Sequence, residues 1–378
     1  MNNPKITQIE WGTLVGQRPR AAKCNARLII HGIDVNVSLA RITTEDGTSG
    51  FGPCRATEEQ AQRLIGTHLD DAITVSKGVP DHVRVFEFPL LDLMGQRTGK
   101  PVYQLTAEAV GKTVSEPFRV PCYDTSLYID DMHLASTKEA AALIAEEALF
   151  GYENNHRAFK IKVGRGARHM ALHTGIDRDV EVVRAVREAV GPDATIMIDA
   201  NNGFNLNIAK RVLAQTARCN VLWIEEAFHE DPVLYDDLRN WMSRQGFSFL
   251  IADGEGQASP SLLDWARDGL IDVVQYDIFS HGYTNWVKTG QQLDQWEKRT
   301  APHHYGRHVG NYVSGHLAAA VDNFTFVEWD EVTTPGLDGS AYVIEEGIVT
   351  LPNAPGFGLH LEEDQFIGAV QKGGFVVQ

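Results

Sequence analysis

The residues able to do chemistry in this chain form an ordered series, each at the end of a short apolar run. They are Lys160 and Lys162 in AFKIKVG, Asp199 and Asn201 in IMIDANN, Glu225 and Glu226 in LWIEEA, and Glu255 in IADGEG. Asp277 follows in DVVQYD, His303 and His304 in APHHYG, and Glu328 in FVEWDE. Asp199, Glu225 and Glu255 are three hard oxygen donors with no His or Cys at those positions, a set that suits Mg2+ better than zinc. Glu226 rivals Glu225, and Asp253 rivals Glu255; spacing alone does not choose between them. Lys160 and Lys162 stand two apart on a strand, so both point to one side. Mutual repulsion, and repulsion from a nearby dication, predict a lysine pKa lowered toward that of a base. Asp277 can orient an imidazole at His303 or His304 and raise its basicity, giving a second proton-transfer group. Glu328, if buried, reads as a protonated hydrogen-bond donor.

Successive members fall roughly 20 to 40 residues apart, the length of a strand, a helix and two loops. Strand-like runs recur at 119–125, 158–163, 195–199, 221–226, 248–252, 272–277, 299–303 and 325–329, with amphipathic segments between most of them. Eight such units predict an α/β barrel of parallel strands, whose C-terminal strand ends meet at one mouth. The clearest helix is predicted over 177–190, with Asp177 as N-cap, Val180, Val183, Val186 and Val190 on one face, and Gly191-Pro192 as its stop signal.

The part before residue 119 differs. Residues 27–42 read as strand with a tight turn at His31-Gly32, GTSGFGPC as a further strand, and 57–75 and 82–98 as helical, which together predict a small α+β domain. From about residue 343 short strand-like pieces with Pro and Gly return, and this closing segment is expected to pack on the first domain. The expected division is 1–118, 119–342 and 343–378.

A net charge of −16 argues against nucleic acid or an anionic membrane as partner. Cys24, Cys54, Cys122 and Cys219 show no metal-ligand spacing and read as reduced thiols. No apolar signal core and no 18-residue apolar run occur, so a cytoplasmic location is expected. The expected partners are a small carboxylate sugar and further copies of the chain.

The ordered series KIK, DAN, IEE, GE, QYD, PH and the Glu of VEW resembles the enolase superfamily, in particular its mandelate racemase subgroup. GTSGFG and PLLDLMGQRTGKPVYQL resemble its capping domain, and PGFGLHL its closing segment. The resemblance implies a (β/α)7β barrel under an α+β cap, with Mg2+ held by Asp199, Glu225 and Glu255. It implies Lys162 and a His303–Asp277 dyad as bases on opposite faces of the substrate. Asn201 and Lys160 would be substrate or metal-shell contacts, and Glu328 a donor to the enolate. Lys288 lies deep in a helical stretch, which favours the dyad over the lysine that the muconate cycloisomerase subgroup uses.

The shared step is removal of a proton α to a carboxylate. Loss of a β-hydroxyl then gives a 2-keto-3-deoxy sugar acid; return of a proton on the other face gives racemisation or epimerisation. A polar pocket with Arg18, Arg20, Arg55, Tyr123 and His304 as substrate contacts favours dehydration of an aldonate or aldarate. Arg18 and Arg20 are read as capping-loop residues that pair with a distal carboxylate. The alternatives are a racemase, epimerase or cycloisomerase, or a barrel that binds an acid sugar without turnover.

Overall fold

A computed structural model of the chain describes residues 3–378; residues 1–2 of the expected first domain lie outside the described residues. The chain opens with a long strand, β1 (Ile6–Ala22), paired antiparallel to β2 (Gly32–Thr44), which pairs antiparallel to β3 (Ser49–Pro53). β1 alternates buried and exposed side chains along much of its length, as a half-covered strand must. Two corrections follow. Of residues 15–24, expected as a capping loop that carries Arg18 and Arg20, residues 15–22 belong to β1, and residues 27–31 are not strand. The helix Glu87–Thr98 covers this sheet so closely that a Cβ at Gly50 would run into the backbone of Leu93.

From Arg119 the strands run parallel: β4 (Arg119–Leu127), β5 (Ala158–Lys162), β6 (Thr195–Asp199), β7 (Val221–Glu225), β8 (Leu250–Asp253), β9 (Val273–Val274) and β10 (Arg299–Thr300). β11 (Val327–Trp329) pairs in parallel with β4, and Thr300 forms a parallel bridge with Phe324. The fold is thus α/β with a mainly parallel sheet. All eight expected strand runs contain a strand. Register sets the chemistry at one level: Lys162 lies opposite Asp199, and Asp199 opposite Glu225. Beneath that level Tyr123, Ala158, Met197, Trp223, Ala252, Val273 and Ala301 fill the space between strands.

The helix expected at 177–190 starts earlier, at Leu172. Asp177 is therefore not its N-cap; its carboxylate pairs with Arg211 at 2.6 Å. Val180, Val183, Val186 and Val190 are buried, as their spacing requires. In the closing segment, Phe375–Val377 pairs with β1 and the helix Glu363–Gly373 packs on it. The hairpin Val343–Thr350 instead pairs with β4, so this part of the segment extends the second sheet and not the first. Among the described residues no helix is long and apolar enough to cross a membrane. The four cysteines are free and buried.

Candidate active site

At the strand ends, carboxylate oxygens of Asp199, Glu225 and Glu255 lie within 4.8 Å of one another. The rivals separate. Asp253, the last residue of β8, turns to the Tyr235 hydroxyl at 2.5 Å, leaving Glu255 at the cluster. Glu226, the neighbour of Glu225 along the chain, lies beside the cluster. Its oxygens accept from the side-chain amides of Asn201 at 3.0 Å and Asn202 at 2.7 Å. Asn201, Asn202 and Glu226 have φ of 41°, 59° and 41°, so the backbone leaves the extended conformation there and re-aims the side chains.

Two buried ammonium groups complete the centre. Lys160 Nζ donates to Glu225 at 2.7 Å and to Glu328 at 3.1 Å, and Lys162 Nζ donates to Asp199. The sequence argument for a lowered lysine pKa does not hold in this arrangement. Burial and Lys160 push Lys162 down, but Asp199 and the other carboxylates outweigh them and hold it raised. Burial also pushes Glu226 up, with neighbouring Glu255 adding to it. In Glu255 burial is outweighed by His303 and the two lysines, which hold it down.

On the other side of the cluster, His303 Nε2 stands 3.2 Å from Glu255 and Nδ1 3.4 Å from Asp277. Burial opposes protonation of His303, but Glu255, Glu328 and Asp277 raise it to about 9. Asp277 also caps the helical turn Ile278–His281 and accepts from Arg307 at 3.1 Å. Arg307 thus helps hold the carboxylate that faces the imidazole.

Several expected site residues go elsewhere. Glu328 is a carboxylate acceptor, not a protonated donor. Thr125, Lys160 and the His304 and Tyr305 amides donate to it, and Lys160, His303 and His304 hold its pKa well below the usual range against burial. His304 sits in the wall, its Nε2 on the Glu328 carbonyl. Tyr123 packs between Trp223 and Phe326 beneath Lys160. Arg18 is buried in β1 and bound through both ends to Asp330, at 3.0 and 2.8 Å. Arg20 bonds Ser126 at 3.1 Å and pairs with Glu147 at 3.3 Å. Neither guanidinium is free for a distal carboxylate. Arg55 is exposed and lines a cavity off the cluster.

Other residues at this mouth escaped sequence reasoning. His31 meets the Tyr128 ring edge-on and Tyr305 lies tilted against it, and the Tyr128 ring faces Lys162. His31 had been read only as a turn residue, and no motif marks the two tyrosines. Arg165, fully buried between Asp131 and Asp179, donates to the Lys162 carbonyl at 3.3 Å. In the same stretch, Arg168 and His169 donate to or pair with the carbonyls of Arg27 and Asn25, tying it to the cap.

The donor set fits a divalent cation: three converging carboxylates, with Glu255 Oε2 and Asn201 Oδ1 buried and lacking hydrogen-bond partners. The model of the family described as Enolase C-terminal domain-like matches residues 137–365. The chain belongs to the enolase superfamily. Among solved structures it is similar to galacturonate dehydratase from Geobacillus sp., complexed with D-galacturonate and 5-keto-4-deoxy-D-galacturonate. That likeness has 46% identity and a TM-score of 0.95 and covers 100% of both chains. A mutant of that dehydratase is complexed with Mg. D-galactarolactone cycloisomerase of Agrobacterium fabrum is 26% identical, over 86% of this chain and 89% of its own. L-rhamnonate dehydratase of Saccharopolyspora erythraea is also 26% identical, over 88% and 85%.

Proposed function

We propose that this chain is a Mg2+-dependent dehydratase of a sugar acid, and that its substrate is a hexuronate of the D-galacturonate type. One observation carries the reading: Lys162 and His303 contact opposite members of one carboxylate triad, Asp199 and Glu255, so two proton-transfer groups flank one binding centre. The 46% identity to a galacturonate dehydratase across the whole chain supports the substrate class. A uronate is neither the aldonate nor the aldarate expected from sequence. Internal pairing of Arg18 and Arg20 removes the argument for a diacid.

Asp199, Glu225 and Glu255 would hold Mg2+, which supplies Lewis-acid stabilisation of negative charge on the substrate carboxylate. Asn201 and Lys160 border the triad and would hold its carboxylates in place. Lys162 and His303 then divide the proton work. One removes the proton α to the carboxylate, and the C–H electron pair becomes an enolate. The other gives its proton to the β-hydroxyl as the C–O bond breaks, releasing water. The resulting enol takes a proton from solvent and becomes the α-keto, β-deoxy acid. Lys162 would act as a base once its ammonium is released from Asp199. Asp277 and Arg307 orient the imidazole.

The eight parallel strands are inferred to close as a (β/α)7β barrel under an α+β cap. The β4–β11 pairing and the Thr300–Phe324 bridge support closure. The cap would comprise residues 1–118 with the end of the chain, the hairpin 343–350 belonging to the barrel side. The test is a panel of uronates, aldonates and aldarates assayed with Mg2+ for keto-acid product. Turnover of D-galacturonate supports the reading. An epimerised acid with no loss of water would support the racemase or epimerase alternative instead.

A further inference from the structure

Between the first sheet and the barrel mouth lies a cavity of about 250 Å3 that none of Lys162, Asp199, Glu225, Glu255 and His303 lines. Its walls come from β2, the turn after β3, the 3-10 turn Asp81–Phe86, the helix Glu87–Thr98 and the segments after β9 and β10. Phe88 and Phe279, with ring centroids 5.2 Å apart, make an apolar floor. Arg55, Arg84 and Arg307 also line it, and no Asp or Glu does. This is unexpected in a chain with 50 acidic and 34 basic residues.

The charges there are poorly compensated. Arg55 has no hydrogen-bond or ion-pair partner among the described residues. Arg84 pairs with Asp81 outside the cavity at 2.5 Å. Arg307 spends one nitrogen on Asp277, and its guanidinium lies 5.1 Å from the Phe279 ring centre. Burial lowers the Arg307 pKa, and repulsion from Arg55 lowers it further, against Asp277. Two like charges held near each other at the edge of an apolar cavity are stabilised by an anion between them. Guanidinium groups match a carboxylate geometrically. Apolar walls with a few polar groups are how small-molecule sites are built.

We propose that this cavity is a second ligand site, distinct from the carboxylate triad, for a small carboxylic acid with an apolar body. The carboxylate lies between Arg55 and Arg307, and the apolar part rests on Phe88 and Phe279. The site does not depend on the dehydration reading, and it can stand or fall separately.

Benzoate is a suitable probe, tested with the Mg2+-loaded protein. A crystal soaked in benzoate is expected to show the ring over Phe279 and the carboxylate on Arg55 and Arg307. In titration calorimetry, Arg55→Ala and Asn36→Trp, both changed at exposed wall positions, should weaken this binding at least tenfold. Lys162→Met should leave it unchanged. Benzoate found only at the triad, or no benzoate bound at all, would overturn the proposal. So would affinity that survives both wall variants or that disappears in Lys162→Met.

Discussion

At the scale of single residues, the difference between Arg18 as sequence and Arg18 as structure decides what its mutation does. A guanidinium in a polar stretch reads as a substrate clamp. In the fold it is buried against Asp330, whose own pKa burial raises to about 6 despite that partner. Arg18→Ala leaves a buried carboxylate unpaired and should cost about 3–5 kcal/mol of folding stability in chemical denaturation. A stability-neutral variant that loses only diacid turnover would restore the clamp. The two proton-transfer groups are separable as well. Lys162→Ala and His303→Asn should each lose overall turnover by at least about a hundredfold. Only the variant that keeps the base should still exchange the α proton with D2O. Equal dehydration in parent and variants would remove both from the mechanism. The triad, the lysines and the dyad were legible because parallel register puts strand ends at one level. Tyr123 and His304 were not, because one position along a strand turns a side chain from mouth to wall or core.

At the scale of elements, the strands were legible from their apolar runs. Cap geometry was not, because it depends on contacts distant in sequence. Asp92 shows this. In the helix Glu87–Thr98, it accepts from the Phe51 amide on β3 at 3.0 Å and the Phe357 amide of the closing segment at 2.8 Å. Burial raises its pKa from 3.8 to about 7, so the folded state holds a proton that the unfolded chain releases. This contribution to stability is complete below about pH 4 and is lost as pH rises through 7. Relative to Asp92→Asn, the parent should lose on the order of 4 kcal/mol of unfolding free energy between pH 4 and pH 8. A constant difference would mean that Asp92 is ionised throughout. Arg165 is a second such tie. Arg165→Met exposes buried Asp131 and Asp179 to each other and frees the loop after Lys162. It should cost about 3–5 kcal/mol, read by thermal unfolding, with kcat reduced by more than KM rises.

At the scale of the whole molecule, the parallel strands bring four carboxylates, Asp199, Glu225, Glu255 and Glu328, and two lysines close together at one centre. The lysines and carboxylates pair with one another there, and Asp199, Glu225 and Glu255 would hold a divalent cation. Chelation should therefore stop α-proton exchange as well as dehydration, with both restored by Mg2+. Exchange that persists after chelation would show that Lys162 or His303 works without the cation. The most direct test of the whole account is proton NMR of the Mg2+-loaded protein with D-galacturonate in D2O. The account predicts loss of the C5 proton and the C4 hydroxyl, and appearance of 5-keto-4-deoxy-D-galacturonate carrying solvent deuterium at C4. Washout of the C5 proton with the C4 hydroxyl retained, or an unchanged spectrum, would contradict it.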